Sequence, residues 1–142
     1  MASLQAMASL ATPMALRVAV TLGLPERLAG EGASVLLLAE ELEASIVGVE
    51  RLLKHLITLV VVELCNDRYR TTELGAELRA DAENQLHNTL HINSAIGRAE
   101  LAFVEFGHAV TIGQAAYPRR YGRDFWADLA EFPHRQRPST SR

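Results

Sequence analysis

Apolar residues run almost unbroken through the first part of the chain: Met14, Leu16, Val18, Ala19, Val20 and Leu22, interrupted by Arg17 alone. Thr12 before Pro13 supplies a capping hydroxyl and a proline at the first helical position, and Gly23 supplies a stop. The spacing predicts a helix over 13–22. A helix apolar nearly all round needs burial on several sides. In a chain this short that argues for a subunit interface, with Met14, Leu16, Val18, Val20 and Leu22 as its contacts. A short helix over 24–28 comes next and is broken by Gly30-Glu31-Gly32. Ser34 then caps a helix to Leu42, and Ser45 caps another to about Leu59. On that last helix Val49, Leu52, Leu53, Leu56 and Val60 share one face.

The pattern then shortens. Val61–Leu64 and Arg68–Thr71 flank Cys65-Asn66-Asp67, residues that tolerate turn geometry, and predict a small β-hairpin. Thr72 caps a helix through Ala80. Helical spacing returns over 85–96 and 98–111, Gly113 opens a loop, and Phe125, Trp126 and Leu129 mark a last short helix. From Phe132 the periodicity stops, and the tail to Arg142 is expected to be disordered. Helix, helix, hairpin, helix is the order of a winged helix. The expected fold is mainly α, a winged helix-turn-helix with a small β-hairpin plus C-terminal helices, in an intertwined homodimer. Residues 1–11, which repeat Met-Ala-Ser-Leu, form an arm; 12–131 form the domain and 132–142 the tail.

Composition narrows the class. A chain of 142 residues, 49% hydrophobic and 22% charged, suits one domain with a real core and is too short for a catalytic domain plus a separate substrate domain. The one cysteine, Cys65, allows no internal disulfide, which fits a reducing cytoplasm. The apolar run Leu56–Val62 is far short of a membrane span, and the N-terminus lacks the basic region of a signal peptide. A cytoplasmic location is expected. Thirteen of the fourteen basic residues are arginine, and they are unevenly placed. From Pro118 onward six arginines face three acids, so a basic tail follows an acidic body. Such a tail is either a contact for an anion or a solvated end.

Candidate chemistry is sparse. A winged helix raises DNA binding, with Val47, Glu50, Arg51 and Lys54 offered to the groove, but Glu40, Glu41, Glu43 and the body's net charge oppose a duplex. His87 and His91, four apart, could share a metal ion, yet no third ligand is obvious and solvated histidines are the plainer reading. No metal is expected. No nucleophile elbow is present, and Gly30-Glu31-Gly32 follows no strand, so it is not a nucleotide loop. No catalytic residue is assigned. Tyr117, Tyr121, Phe125 and Trp126, interleaved with Arg119, Arg120 and Arg123, either line a pocket for a flat aromatic ligand or pack the last helix on the core.

Five stretches carry a resemblance. Arg17-Val-Ala-Val-Thr-Leu-Gly-Leu-Pro-Glu-Arg-Leu28 resembles the first helix of small-molecule O-methyltransferases. Arg51-Leu-Leu-Lys-His-Leu56 and Tyr69-Arg-Thr-Thr-Glu-Leu-Gly75 resemble the family's winged portion. Ala99-Glu-Leu-Ala-Phe103 with Tyr121-Gly-Arg-Asp-Phe-Trp-Ala-Asp-Leu129 is similar to the bacterial aromatic-polyketide branch, the anthracycline O-methyltransferases and their hydroxylase relatives. The resemblance covers about residues 11–130. It implies an N-terminal dimerisation domain whose helices intertwine with a second subunit and help wall the substrate pocket. Methyl transfer and S-adenosylmethionine belong to a following Rossmann-like domain with no counterpart here, so this chain is expected to bind no cofactor and to transfer no methyl group alone.

The resemblance sharpens the site. Tyr121, Arg123, Phe125 and Trp126, with Phe103 and His108 behind them, are expected to hold an aromatic polyketide: rings stack, and Arg123 meets a phenolate or carboxylate. Expected partners are a second copy, a separate methyltransferase chain and an aromatic small molecule; DNA and membrane are not expected. Two other classes stay open: a winged-helix regulator, and a small cofactor-independent protein using His108 or Asp124 as acid or base. Four positions depart from the family. Leu36 and Leu37 replace polar residues, Ile46 a proline at a helix start, and Val60 a glycine at a helix end. The likeness fails near Glu131. One permitted codon choice over His134–Ser141, shifted by two nucleotides, reads like the family's next segment, so the tail is expected to be frameshifted.

Overall fold

A computed structural model describes residues 3–131; the expected tail over 132–142 lies outside them. A short helix, α1 (Leu4–Ala8), precedes α2 (Ala11–Thr21) and the one-turn α3 (Leu24–Arg27). Helices α4 (Val35–Leu42) and α5 (Ile46–Thr58) come after, each started by a serine whose hydroxyl accepts a backbone N–H, Ser34 from Leu37 and Ser45 from Gly48. Strands β1 (Val62–Cys65) and β2 (Arg68–Thr71) pair antiparallel with Cys65 opposite Arg68. Asn66 and Asp67 both have positive φ, 53° and 67°, the geometry of the two-residue turn that matches strand twist.

The core lies among these elements. Leu24, Leu28, Leu38, Leu53 and Leu56 are at most 1% exposed, with Val20, Val49, Val62 and Tyr69 beside them. Two of the predicted assignments change here. Val20 belongs to this chain's own core, so it is not free to meet a second subunit, and Leu16 packs partly against the same core. Thr12 does not start the helix. α2 begins at Ala11, and the Thr12 hydroxyl instead meets His55 Nε2 at 3.1 Å, tying α2 to α5.

Gly32 shows what the glycine pair is for. Ala33 and Tyr69 exchange two backbone hydrogen bonds, of 2.9 and 2.8 Å, which add a third edge to the hairpin. A Cβ on Gly32 would lie 2.1 Å from the Tyr69 carbonyl oxygen, at a φ of +77°. The glycine allows that backbone approach.

Val60 leaves the predicted face of α5. It has φ +64° and is 61% exposed. Its N–H donates to the Ile57 carbonyl, while the Val61 N–H donates to that of Leu56. This is a Schellman ending with a β-branched residue where glycine is favoured.

The second half departs further from the periodicity. Thr72 does cap, accepting from the Gly75 N–H, but the element it starts is a 3₁₀ turn, Gly75–Leu78. The helix expected over 85–96 is two pieces, α6 (Leu86–Leu90) and α7 (Ala95–Leu101). Ser94 forces the break: its hydroxyl caps α7 through the Gly97 N–H and donates to the carbonyls of Asn88 and His91. Helix α7 passes through a 3₁₀ turn, Ala102–Glu105, into α8 (Phe106–Ile112). The supposed Tyr- and Arg-rich loop contains α9 (Ala116–Tyr121), with Pro118 in its first turn, where proline is tolerated. α10 (Phe125–Glu131) is capped by Asp124, which accepts from the Ala127 N–H at 2.7 Å.

Candidate functional site

The C-terminal helices border an open hollow because their facing residues are small. Ala99, Ala102, Ala109, Ala115 and Ala116 leave a cavity of about 320 Å³, walled by the rings of Phe103, Phe106, Tyr117 and Phe125. Phe103 and Phe106 meet edge to face at 5.9 Å, and Tyr117 and Phe125 at 5.5 Å. Offset and edge-on aromatic pairs are the favoured geometry for such walls. The volume falls in the range of small-molecule pockets.

Behind the Tyr117 wall sits a polar network. The Tyr117 hydroxyl donates to Asp128 Oδ2, and Arg98 Nη2 donates to the same oxygen at 2.9 Å. Arg98 Nε reaches the Tyr117 oxygen at 3.2 Å, and the guanidinium lies 3.9 Å from the centre of the Tyr121 ring. Asp128 is 3% exposed, and a carboxylate that deep is tolerated only when paired and hydrogen-bonded. Burial, reinforced by the hydrogen bond to Asp128, pushes the Tyr117 phenol above its ordinary range. For Arg98 burial works the other way, but the bonds to Tyr117 and Asp128 outweigh it and hold the guanidinium charged.

Of the six residues expected to hold a ligand, Phe103 and Phe125 line the cavity. The other four do not. Trp126 touches Phe125 edge-on at 5.0 Å and is 73% exposed. Tyr121 stacks with Arg98 and donates to its carbonyl oxygen. Arg123, between α9 and α10, is engaged with Glu131 and the Ala127 carbonyl oxygen and so is held against α10. His108, half-buried on α8, is outside the lining. Phe106 and the alanine floor were missed; the three-residue step from Phe103 to Phe106 was the available signal. Asp124, the candidate acid or base, is occupied as the cap of α10.

The histidine pair also differs from expectation. His87 is 8% exposed, with Nδ1 unpartnered, and its ring lies 5.6 Å from that of His91. These are packed side chains, not solvated ones. Among the described residues no group of three or more His, Cys, Asp or Glu could hold a metal ion.

The expected interface residues divide. Met14, Val18 and Leu22 line an open apolar groove between α2 and α5, while Leu16 and Val20 turn inward. On the other face of α5, Arg51 and Lys54 are exposed, but so are Glu40, Glu41 and Glu43 on α4.

The described residues do not fit a methyl-donor site. Their sheet is a two-stranded antiparallel hairpin, and Gly32, the nearest thing to a phosphate-loop glycine, is taken up by the approach to Tyr69. A nucleotide-type site needs a strand, a glycine turn and a helix in succession. No described helix is long and apolar enough to cross a membrane.

The chain is 40% identical over 131 residues to the 2,7-dihydroxy-5-methyl-1-naphthoate 7-O-methyltransferase of Streptomyces carzinostaticus, covering 92% of this chain and 40% of the relative. It is 36% identical to aclacinomycin 10-hydroxylase RdmB of Streptomyces purpurascens, over 89% of this chain and 35% of that one. It therefore spans about 40% of the length of the first of these relatives. The fold matches the crystal structure of an O-methyltransferase from neocarzinostatin biosynthesis, in complex with S-adenosylmethionine and 2-hydroxy-5-methyl naphthoic acid. That match has a TM-score of 0.87 at 39% identity and covers 96% of this chain and 42% of the other. The family model for the O-methyltransferase dimerisation domain matches residues 4–81, and the chain belongs to that family.

Proposed function

We propose that this chain is the dimerisation and acceptor-binding part of an S-adenosylmethionine-dependent O-methyltransferase of aromatic polyketide biosynthesis. It acts as a homodimer in the cytoplasm and transfers no methyl group alone. The donor is held by a Rossmann-like part, encoded with it or supplied by a separate methyltransferase chain. The aromatic-walled cavity carries the reading. Phe103, Phe106, Tyr117 and Phe125 present ring faces and edges to a flat ligand, and the small alanines leave it room. Its relatives supply the ligand class, since one is a naphthoate O-methyltransferase by name. Another is a hydroxylase, so the shared N-terminal part fits recognition of the aromatic acceptor better than any one reaction.

The test is titration of the full chain with a hydroxynaphthoic acid while following Trp126, whose indole abuts Phe125. Saturable quenching is expected, and Ala102→Leu, which fills the floor, should abolish it. A chain that gives no saturable change with hydroxynaphthoic acids or larger polycyclic phenols has no acceptor site, and the reading falls.

A further inference from the structure

The hollow among the C-terminal helices has a floor and a rim of different character. Ala102 and Tyr117 are buried, whereas Phe103 and Phe106 are more than half exposed at its edge. Its lining is five alanines, three phenylalanines and Tyr117. The Tyr117 hydroxyl is therefore the single polar side-chain group in that lining, and it is already engaged. It donates to Asp128 Oδ2, which also accepts from Arg98 Nη2, while Arg98 Nε donates to the phenol oxygen. Arg123 stands 3.8 Å from the other carboxylate oxygen. Two guanidinium groups thus face Asp128 and favour its charged, accepting form. None of these three partners lines the hollow, so the phenol spends its hydrogen bonds behind the wall and shows the floor only its ring.

We propose that Asp128 and Arg98 set the specificity of this hollow by withdrawing the Tyr117 hydroxyl, so that it takes a ring edge bearing hydrogen or an alkyl group and rejects one bearing a hydroxyl. The proposal rests on the acceptor reading above and specifies which edge of the acceptor is seated. A hydroxyl pushed to the floor loses its water and finds no partner, a penalty that a methyl group does not incur. The ligand enters by its hydrocarbon edge and leaves its hydroxyl and carboxylate groups at the rim, where water reaches them. Asp128 and Arg98 are positioning residues, since both act through Tyr117.

The experiment titrates the full chain with 2-hydroxy-5-methyl naphthoic acid and with the analogue carrying a hydroxyl in place of that methyl, following Trp126 fluorescence. The two probes are nearly equal in size and share the carboxylate, so the ratio of their affinities isolates one group. The parent should bind the methyl probe about 10- to 100-fold more tightly, the discrimination an apolar pocket achieves against an added hydroxyl. Asp128→Ala, its fold checked by circular dichroism, frees the phenol and should bring the two affinities close together. Asp128→Ala/Tyr117→Phe removes the freed hydroxyl and should restore the parent's ratio, a recovery that mere loosening of the helices would not give. Ala102→Ser, which leaves the network alone and puts a hydroxyl on the floor, should also narrow the ratio. Equal affinities in the parent, or a ratio that neither Asp128→Ala nor Ala102→Ser moves, overturn the proposal while leaving an acceptor site. Binding of neither probe overturns the acceptor reading with it.

Discussion

The Tyr117 hydroxyl donates to the buried carboxylate of Asp128 and so ties α9 to α10 across the back of the cavity. Arg98 from α7 completes the tie. Removing one member strands the others. Asp128→Ala should cost about 3 kcal/mol, because the half-buried guanidinium and the phenol both lose their acceptor. Tyr117→Phe keeps the ring but removes both the hydrogen bond donated to Asp128 and the one accepted from Arg98, and should cost about 1–2 kcal/mol. Urea unfolding monitored by the fluorescence of Trp126, the single tryptophan, reads this region directly; equal, negligible losses would show that the network holds nothing.

The same phenol gives an alkaline signature. Its folded pKa is raised above the ordinary 10.0, so the fold favours the protonated form. That contribution is fully present below pH 10 and is lost as pH rises through the folded value. Melting temperature should therefore fall above pH 10 more steeply in the parent than in Tyr117→Phe, once the other tyrosines' common slope is subtracted.

His91 gives the acid counterpart. Burial first, and the neighbouring His87 second, hold its pKa below the ordinary 6.5. The fold favours the neutral ring, so its contribution is present above pH 6.5 and is lost as pH falls through the depressed value. His91→Gln should flatten the drop in stability below pH 6.5. A parent and variant with parallel pH profiles would remove His91 from the account.

Val60→Gly should stabilise the chain by about 1 kcal/mol. A β-branched residue at φ +64° strains the backbone, and a left-handed L residue costs about 1–2 kcal/mol that glycine avoids. The offset is the greater backbone freedom of glycine in the unfolded chain. Thermal melting decides the sign.

Gly32→Ala acts in the other direction. The new Cβ would meet the Tyr69 carbonyl at 2.1 Å, so the Ala33–Tyr69 bridge must open. A loss of about 2–4 kcal/mol is expected from two broken hydrogen bonds and a strained φ. Rapid amide exchange at Ala33 and Tyr69 would locate it. Retained protection there would mean the backbone yields elsewhere.

The first half of the fold was legible because its signals are local. Ser34 and Ser45 cap the helices they were expected to cap, and Asn66-Asp67 make the turn their chemistry suggests. Even Val60 could be read as a glycine position filled by another residue. The second half was not legible, for two physical reasons. Ser94 breaks a continuous helical pattern through hydrogen bonds to Asn88 and His91 that no periodicity encodes. Pro118, flanked by Gly113 and Gly122, looks like a loop, although proline fits the first turn of α9. The site suffered likewise. The Tyr117–Trp126 cluster was visible, but which ring faces the cavity depends on α9 and α10 and on long-range pairing with Arg98. Arg123, expected to face a ligand anion, is instead engaged with Glu131.

The buried apolar core runs from Ala19 to Leu78. Beyond it the buried apolar side chains are small or few, Ala95, Ala102 and Tyr117, while Phe103, Val104, Val110 and Trp126 lie more than 60% exposed. The two halves should therefore differ in local stability. The winged half should hold its amide protons until global unfolding, and α8 to α10 should release theirs through cheaper local openings. A ligand seated against Phe103, Phe106 and Phe125 would slow exchange in those helices first.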